Sequence, residues 1–123
     1  MNRDEFEKVV QEVFDSLPER FHETMDNVHI VVEEVPPVRF SSRKGIRSGG
    51  LLLGLYEGIP LTRRGVDYGM YPVVPDRITL FRQNIEAVAR DDQDLRARIR
   101  ETLIHEIGHY YGMSESEIRR AGY

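Results

Sequence analysis

The amino-acid sequence predicts one α+β domain, with helices packed on one face of a small β-sheet. Three features carry that expectation. Apolar residues recur at helical spacing near both ends of the chain. Short β-branched or apolar runs lie between them. The length of 123 residues suits one compact domain that buries a core without staples. No internal repeat, low-complexity tract or interdomain linker interrupts it, so residues 1–123 are expected to form a single domain.

Asn2 is placed to cap a first helix running to about Ser16, with Asp4 and Glu5 in its first turn, where acids favour the helix dipole. Phe6, Val9, Val10, Val13, Phe14 and Leu17 form its apolar face, and Pro18 punctuates the chain after it. Val28 to Val35 reads as a strand, with Val28, Ile30 and Val32 alternating onto one face and Pro36-Pro37 ending it. Residues 36–50 form a long connection for so small a domain, of the kind that carries function. Leu51 to Tyr56 is a second strand, continuous enough in apolar residues to be buried on both faces. Gly58, Pro60, Gly65, Gly69, Pro72 and Pro75 mark a second irregular stretch. Arg77 to Gln83 is a third strand, with Ile78, Leu80 and Arg82 on one side. A helix is expected from about Asn84, with a break near Asp91-Asp92, and resumes to Tyr111. Gly112 suits the left-handed residue that stops it. In its second part Leu95, Ile99, Leu103 and Ile107 step by four along one stripe.

Composition narrows the function. The chain has no cysteine, which excludes disulfides and thiolate metal sites, so any metal is held by nitrogen and oxygen. Lack of cysteine fits a reducing, cytoplasmic compartment. The first residues are charged and carry no apolar signal core, and Leu51 to Tyr56 is too short to span a bilayer. A net charge of −4 argues against a general nucleic-acid binder. Arg39, Arg43, Lys44 and Arg47 gather locally and read as a solvated basic loop.

The chemistry lies in His105-Glu106-Ile107-Gly108-His109. Residues four apart on a helix lie one turn above each other, so both imidazoles can reach one zinc ion at about 2.0–2.1 Å. The histidines fall well away from the Leu95–Ile107 stripe and need not be consumed by the core. Glu106 lies at the edge between the two faces, where a carboxylate can reach a water on the metal and serve as acid–base in hydrolysis. A chance match on an amphipathic helix is the bland reading. The mid-helix position, the glycine stop and the acids that follow weigh against it.

A catalytic zinc takes three protein ligands and keeps one position open. Glu115 and Glu117 compete for the third. Glu115 stands six residues beyond His109, just after the turn. Ser114-x-x-Glu117 is a capping box, which gives Glu117 a structural task and favours Glu115 as ligand. Gly108 inside the helix costs about 0.5–1 kcal/mol relative to alanine, which points either to close approach of another segment or to a tolerated cost. His22 and His29 read as ordinary surface or strand residues. Tyr68, Tyr71, Arg63 and Arg64 are candidates for stabilising an oxyanion, and the sequence does not choose among them.

These residues resemble known zinc enzymes. HExxHxxG opens the long zinc motif of the metzincins, with Glu115 where those proteins have a third histidine, but their methionine turn is not matched in residues 110–123. The chain is more similar to the small, mostly bacterial zincin-like metallopeptidases, which carry HExxHxxG followed by an acid. Leu52-Leu53-Gly54-Leu55-Tyr56-Glu57-Gly58 and Pro75-Asp76-Arg77-Ile78-Thr79-Leu80-Phe81-Arg82 add to the resemblance, which covers about residues 28–120. It implies a minimal zincin fold: a short mixed sheet with an N-terminal helix and a C-terminal active-site helix. It also implies one zinc ion on His105, His109 and Glu115, Glu106 as acid–base, and a peptide or protein substrate. Arg77–Gln83 would be the edge strand bordering the cleft, open to an extended peptide. A rival reading is an interaction module, in which the zinc is structural and the edge strand or basic loop docks a partner. A third is a zinc hydrolase with a non-peptide substrate.

Overall fold

The computed structural model describes residues 1–23, 25–37, 45–59 and 76–123. The first helix, α1 (Arg3–Asp15), is capped by Asn2, whose side chain accepts from the Glu5 amide at 2.9 Å. Its face of Phe6, Val9, Val10 and Val13 is buried, as the spacing predicts. Two short 3₁₀ turns lead to β1 (Val28–Glu33). Next come β2 (Arg47–Ser48) and β3 (Leu51–Leu52), which pair as a hairpin. Gly49 and Gly50 join them with φ of 58° and 82°, the left-handed pair that a tight two-residue turn requires. Then follow β4 (Gly54–Glu57), β5 (Asp76–Phe81), α2 (Arg82–Val88), α3 (Asp92–Tyr110) and α4 (Glu115–Arg120).

The principal sheet is mixed, in the order β1-β5-β4, with β1 parallel and β4 antiparallel to β5. Helix α3 packs against α1 on one side and against β4 and β5 on the other. Leu95, Ile99, Leu103 and Ile107 meet Val10, Val32, Ile78 and Leu80 in one core. This is the α+β arrangement the sequence predicts, a small mixed sheet with an N-terminal helix and a long C-terminal helix. Among the described residues, no helix is long and apolar enough to cross a membrane.

Three expectations are corrected. The strand expected at Arg77–Gln83 is the central strand of the sheet, not its edge. It is hydrogen-bonded on both sides, and Ile78, Thr79, Leu80 and Phe81 are all buried. It also stops at Phe81, because Arg82 opens α2 and its guanidinium binds Glu34 and Glu86 rather than lining a sheet face. The single strand expected over Leu51–Tyr56 divides at Leu53. There the amide donates to Ile46 O at 2.8 Å while the carbonyl accepts from Phe81 N at 2.9 Å, so the chain passes from the hairpin to the main sheet. The edge strand next to α3 is therefore β4.

Gly54 makes that neighbourhood possible. A Cβ there would overlap the Thr102 methyl of α3 and crowd Thr79 O at 3.1 Å. Thr102 is fully buried, so neither neighbour has room to yield. Gly54→Ala is expected to lower stability by about 1–3 kcal/mol, the usual cost of overpacking, measured by chemical denaturation.

Candidate metal centre

Helix α3 is capped by Asp91, whose side chain accepts from the Asp94 amide at 2.8 Å, at the break expected near Asp91-Asp92. Its second half is buried on nearly every side. Thr102, Leu103, Ile104, His105, Glu106, Ile107, Gly108 and Tyr110 are all covered. Helical spacing alone places the motif clear of the core, yet His105 is only 3% exposed and Glu106 only 1%. The helix lies between α1, the sheet and α4, so its polar residues are enclosed together with its apolar stripe. In such surroundings each polar group needs a partner.

The turn after α3 and the start of α4 supply two of them. Gly112 adopts φ 87°, its amide donates to His109 O at 2.9 Å, and the Met113 amide reaches back to Gly108 O at 2.9 Å. This is the Schellman pair of hydrogen bonds that closes a helix on a left-handed residue. It turns the chain back so that α4 starts beside the histidines. Ser114 caps α4, accepting from the Glu117 amide at 3.2 Å while the Glu117 carboxylate accepts from the Ser114 amide at 3.3 Å. Glu117 is exposed and occupied by this box. Glu115 points the other way. Its Oε2 lies 2.8 Å from His105 Nδ1 and its Oε1 lies 2.8 Å from His109 Nε2. Burial pushes the Glu115 carboxyl up, but the hydrogen bond from His109 and the contacts with His105 outweigh it and hold it below its ordinary value.

The three side chains fit a zinc ion in kind. His109 Nδ1 lies 3.0 Å from Met113 O, a pure acceptor, so Nδ1 carries a proton and donates it there. Its Nε2 faces a carboxylate oxygen at 2.8 Å, so a proton or a cation must lie between the two. His105 Nε2 is buried and has no hydrogen-bond partner among the described residues. Two imidazoles and one carboxylate form the nitrogen–oxygen donor set zinc takes in catalytic sites. In spacing they are too close. Ligands about 2.1 Å from a tetrahedral ion stand about 3.4 Å apart. The contacts here are hydrogen-bond distances, and among the described residues no three such groups stand at ion-holding separation.

Glu106 lies on the other side of the pair, toward the sheet. Its Oε1 accepts from the Tyr56 amide at 2.8 Å and its Oε2 from the Ile46 amide at 3.2 Å. Burial pushes its pKa up to about 7, partly offset by the charge of His109 and by these two amides. The carboxylate thus ties α3 to the edge strand β4 and to the residue that precedes β2. Tyr56 is itself held, its hydroxyl donating to Asp76 Oδ2 at 2.8 Å and its ring standing edge-on to Tyr110. Sequence reasoning misses these amide donors, because backbone groups have no residue signature. Gly54 is the one available signal, since glycine inside a strand marks a close approach.

The remaining candidates lie elsewhere. His22 Nε2 contacts Leu17 O at 3.0 Å and its ring packs on Phe14. His29 is exposed on β1. Arg47 donates to Gly50 O at 3.3 Å across the hairpin turn. Arg39, Arg43, Lys44, Arg63, Arg64, Tyr68 and Tyr71 lie outside the described residues.

Replacing Glu106 by alanine would strand two backbone amides. Glu106→Ala is expected to cost about 1–3 kcal/mol of stability and to speed hydrogen exchange at Ile46 and Tyr56. Nuclear magnetic resonance exchange on the pure protein measures both.

No curated protein sequence matches the chain. Among solved structures it is similar to a conserved hypothetical protein from Thermo thermophilus, with a TM-score of 0.57 and 23% identity over 90% of this chain and 94% of that one. That likeness supports the fold. The model of the family described as zincin-like metallopeptidase matches residues 25–123, from the turn before β1 through the whole motif and α4, and the chain belongs to that family.

Proposed function

We propose that the protein is a zinc-dependent peptidase that holds one ion per chain through His105, His109 and Glu115 and uses Glu106 as its acid–base. The observation that carries this reading is the convergence of Glu115 on both histidines at 2.8 Å, with His109 Nε2 facing the carboxylate. Membership of the zincin-like family supports it independently. When bound, zinc would supply Lewis-acid polarisation of a carbonyl and acidification of water.

The chain's own residues do the rest. The Met113 carbonyl orients the His109 ring and fixes its tautomer. The Tyr56 and Ile46 amides hold the Glu106 carboxylate by one lone pair on each oxygen, leaving others to accept a proton. Oε2, with the longer amide contact, is the less committed oxygen. Burial lifts Glu106 to about 7, a range in which a carboxyl group both accepts and returns a proton near neutral pH. It would take the proton of the attacking water and deliver it to the leaving nitrogen. The substrate is a peptide or protein, and β4 is the sheet edge nearest the centre. The lack of cysteine supports a cytoplasmic place of action.

One observation favours a second reading. Glu106 has a structural task in joining α3 to β4, so its presence alone does not require catalysis. In this reading the protein is a zinc-binding interaction module.

Metal analysis separates the ligand assignments. About one zinc per chain is expected, lost in His105→Ala, weakened in Glu115→Ala and retained in Glu117→Ala. The reverse result for the two glutamates would overturn the choice of third ligand. Hydrolysis of a peptide library is expected to vanish in Glu106→Gln while zinc is retained. Undiminished cleavage in that variant would remove Glu106 from the mechanism, and no cleavage by the zinc-loaded native protein would favour the interaction module.

A further inference from the structure

Gly108 is the residue of the motif that neither the histidines nor Glu106 account for. A Cβ at this position would lie 2.6 Å from Ile118 Cδ1 and 2.8 Å from Ile118 Cγ1. Both separations are inside van der Waals contact, so a side chain at 108 and Ile118 in its present place exclude one another. Ile118 is 1% exposed and is the buried residue of α4, whose other side chains are exposed or half-buried. The same glycine also accepts the Met113 amide through its carbonyl, at 2.9 Å. Gly108 therefore meets the chain beyond the helix twice, once at the turn and once at α4.

We propose that Gly108 is a positioning residue: its missing side chain is the notch that seats Ile118 and so sets α4 in the register that carries Glu115 to His105 and His109. This rests on the reading of Glu115 as a zinc ligand. Ile118 follows Glu115 by three residues, less than one helical turn, on a helix of six residues. A shift of α4 that lifts Ile118 out of the notch carries the Glu115 carboxylate with it. The turn at Tyr111 to Ser114 is closed by the two Schellman bonds, so α4 has few other ways to correct its position.

The space around Ile118 shows how the two effects of substitution divide. An apolar cavity lies against Ile104, Gly108, Tyr111, Met113, Ile118 and Tyr123. When a side chain at 108 pushes α4 back, Ile118 moves with its helix toward this space and keeps apolar neighbours. Alanine is also the better helix former. Stability is therefore expected to change little in Gly108→Ala, whereas the geometry around the ion changes. A glycine kept only for packing would show the opposite, a loss of stability with normal metal binding.

The test uses the full chain with Zn²⁺ and with Co²⁺ as a spectroscopic probe. Gly108→Ala is expected to lose about tenfold or more in zinc affinity by chelator competition, the range seen when groups that orient ligands are disturbed. The visible bands of the Co²⁺ form should weaken or shift, with a melting temperature close to that of the native protein. Adding Ile118→Val, which removes the nearer methyl, should restore part of both the affinity and the spectrum. Ile118→Ala, which leaves the motif helix untouched, should also weaken zinc binding and keeps the proposal testable if Gly108→Ala does not fold. Native affinity and an unchanged Co²⁺ spectrum in Gly108→Ala, with Glu115→Gln impaired, would overturn the role of Gly108 alone. Native affinity in Glu115→Gln would instead remove the ligand assignment and this proposal with it.

Discussion

The structure depends on the burial of the second half of α3. From Thr102 onward this helix is enclosed by α1, the sheet and α4, and the motif is enclosed with it. A buried imidazole or carboxylate without partners costs several kcal/mol, so each polar group in this stretch requires a matching group from elsewhere. Glu115 answers His105 and His109, Met113 O answers the far side of His109, and the amides of Ile46 and Tyr56 answer Glu106. These partners come from α4, the turn before it, the residue preceding β2, and β4. Satisfying the motif thus fixes the relative positions of the surrounding elements.

Two glycines make the enclosure tight at two places along the helix. Gly54 lets β4 rest on Thr102, close enough for the Tyr56 amide to reach Glu106. Gly108 lets Ile118 rest on the helix itself, close enough for Glu115 to reach the histidines. In both places a backbone without a side chain fixes where a carboxylate sits relative to the motif. The polar residues supply the chemistry, and the small residues set the distances at which it operates.

What the sequence made legible follows from the range of each interaction. Asn2, Asp91, Gly112 and the Ser114–Glu117 box act within a few residues of themselves, and helix ends were readable from them. The separation of Glu115 from Glu117 was readable for the same reason, because the capping box is local. The pairing of Val28 with Asp76 joins residues far apart in the chain, and no local pattern encodes it. That is why no local pattern could correct the edge position that the resemblance implies. Arg77–Gln83 has alternation that suits either position, and only the neighbours on both sides distinguish them. The passage from one sheet to another at Leu53 was hidden because both halves of 51–56 are apolar. The depth of the histidines is invisible to helical periodicity, which describes one helix alone, whereas α4 and β4 cover the face that periodicity marks as polar.

The central claim is that Glu115, brought back by the Gly112 turn, completes a metal centre with His105 and His109. Crystallography of the zinc-loaded protein with anomalous diffraction at the zinc absorption edge tests it most directly. The account predicts one anomalous peak per chain, contacted by both histidines and by the Glu115 carboxylate, with Glu117 still in its capping box and Glu106 beside the ion but not bonded to it. No peak at the motif, or a peak bonded to Glu117 with Glu115 turned to solvent, would contradict it.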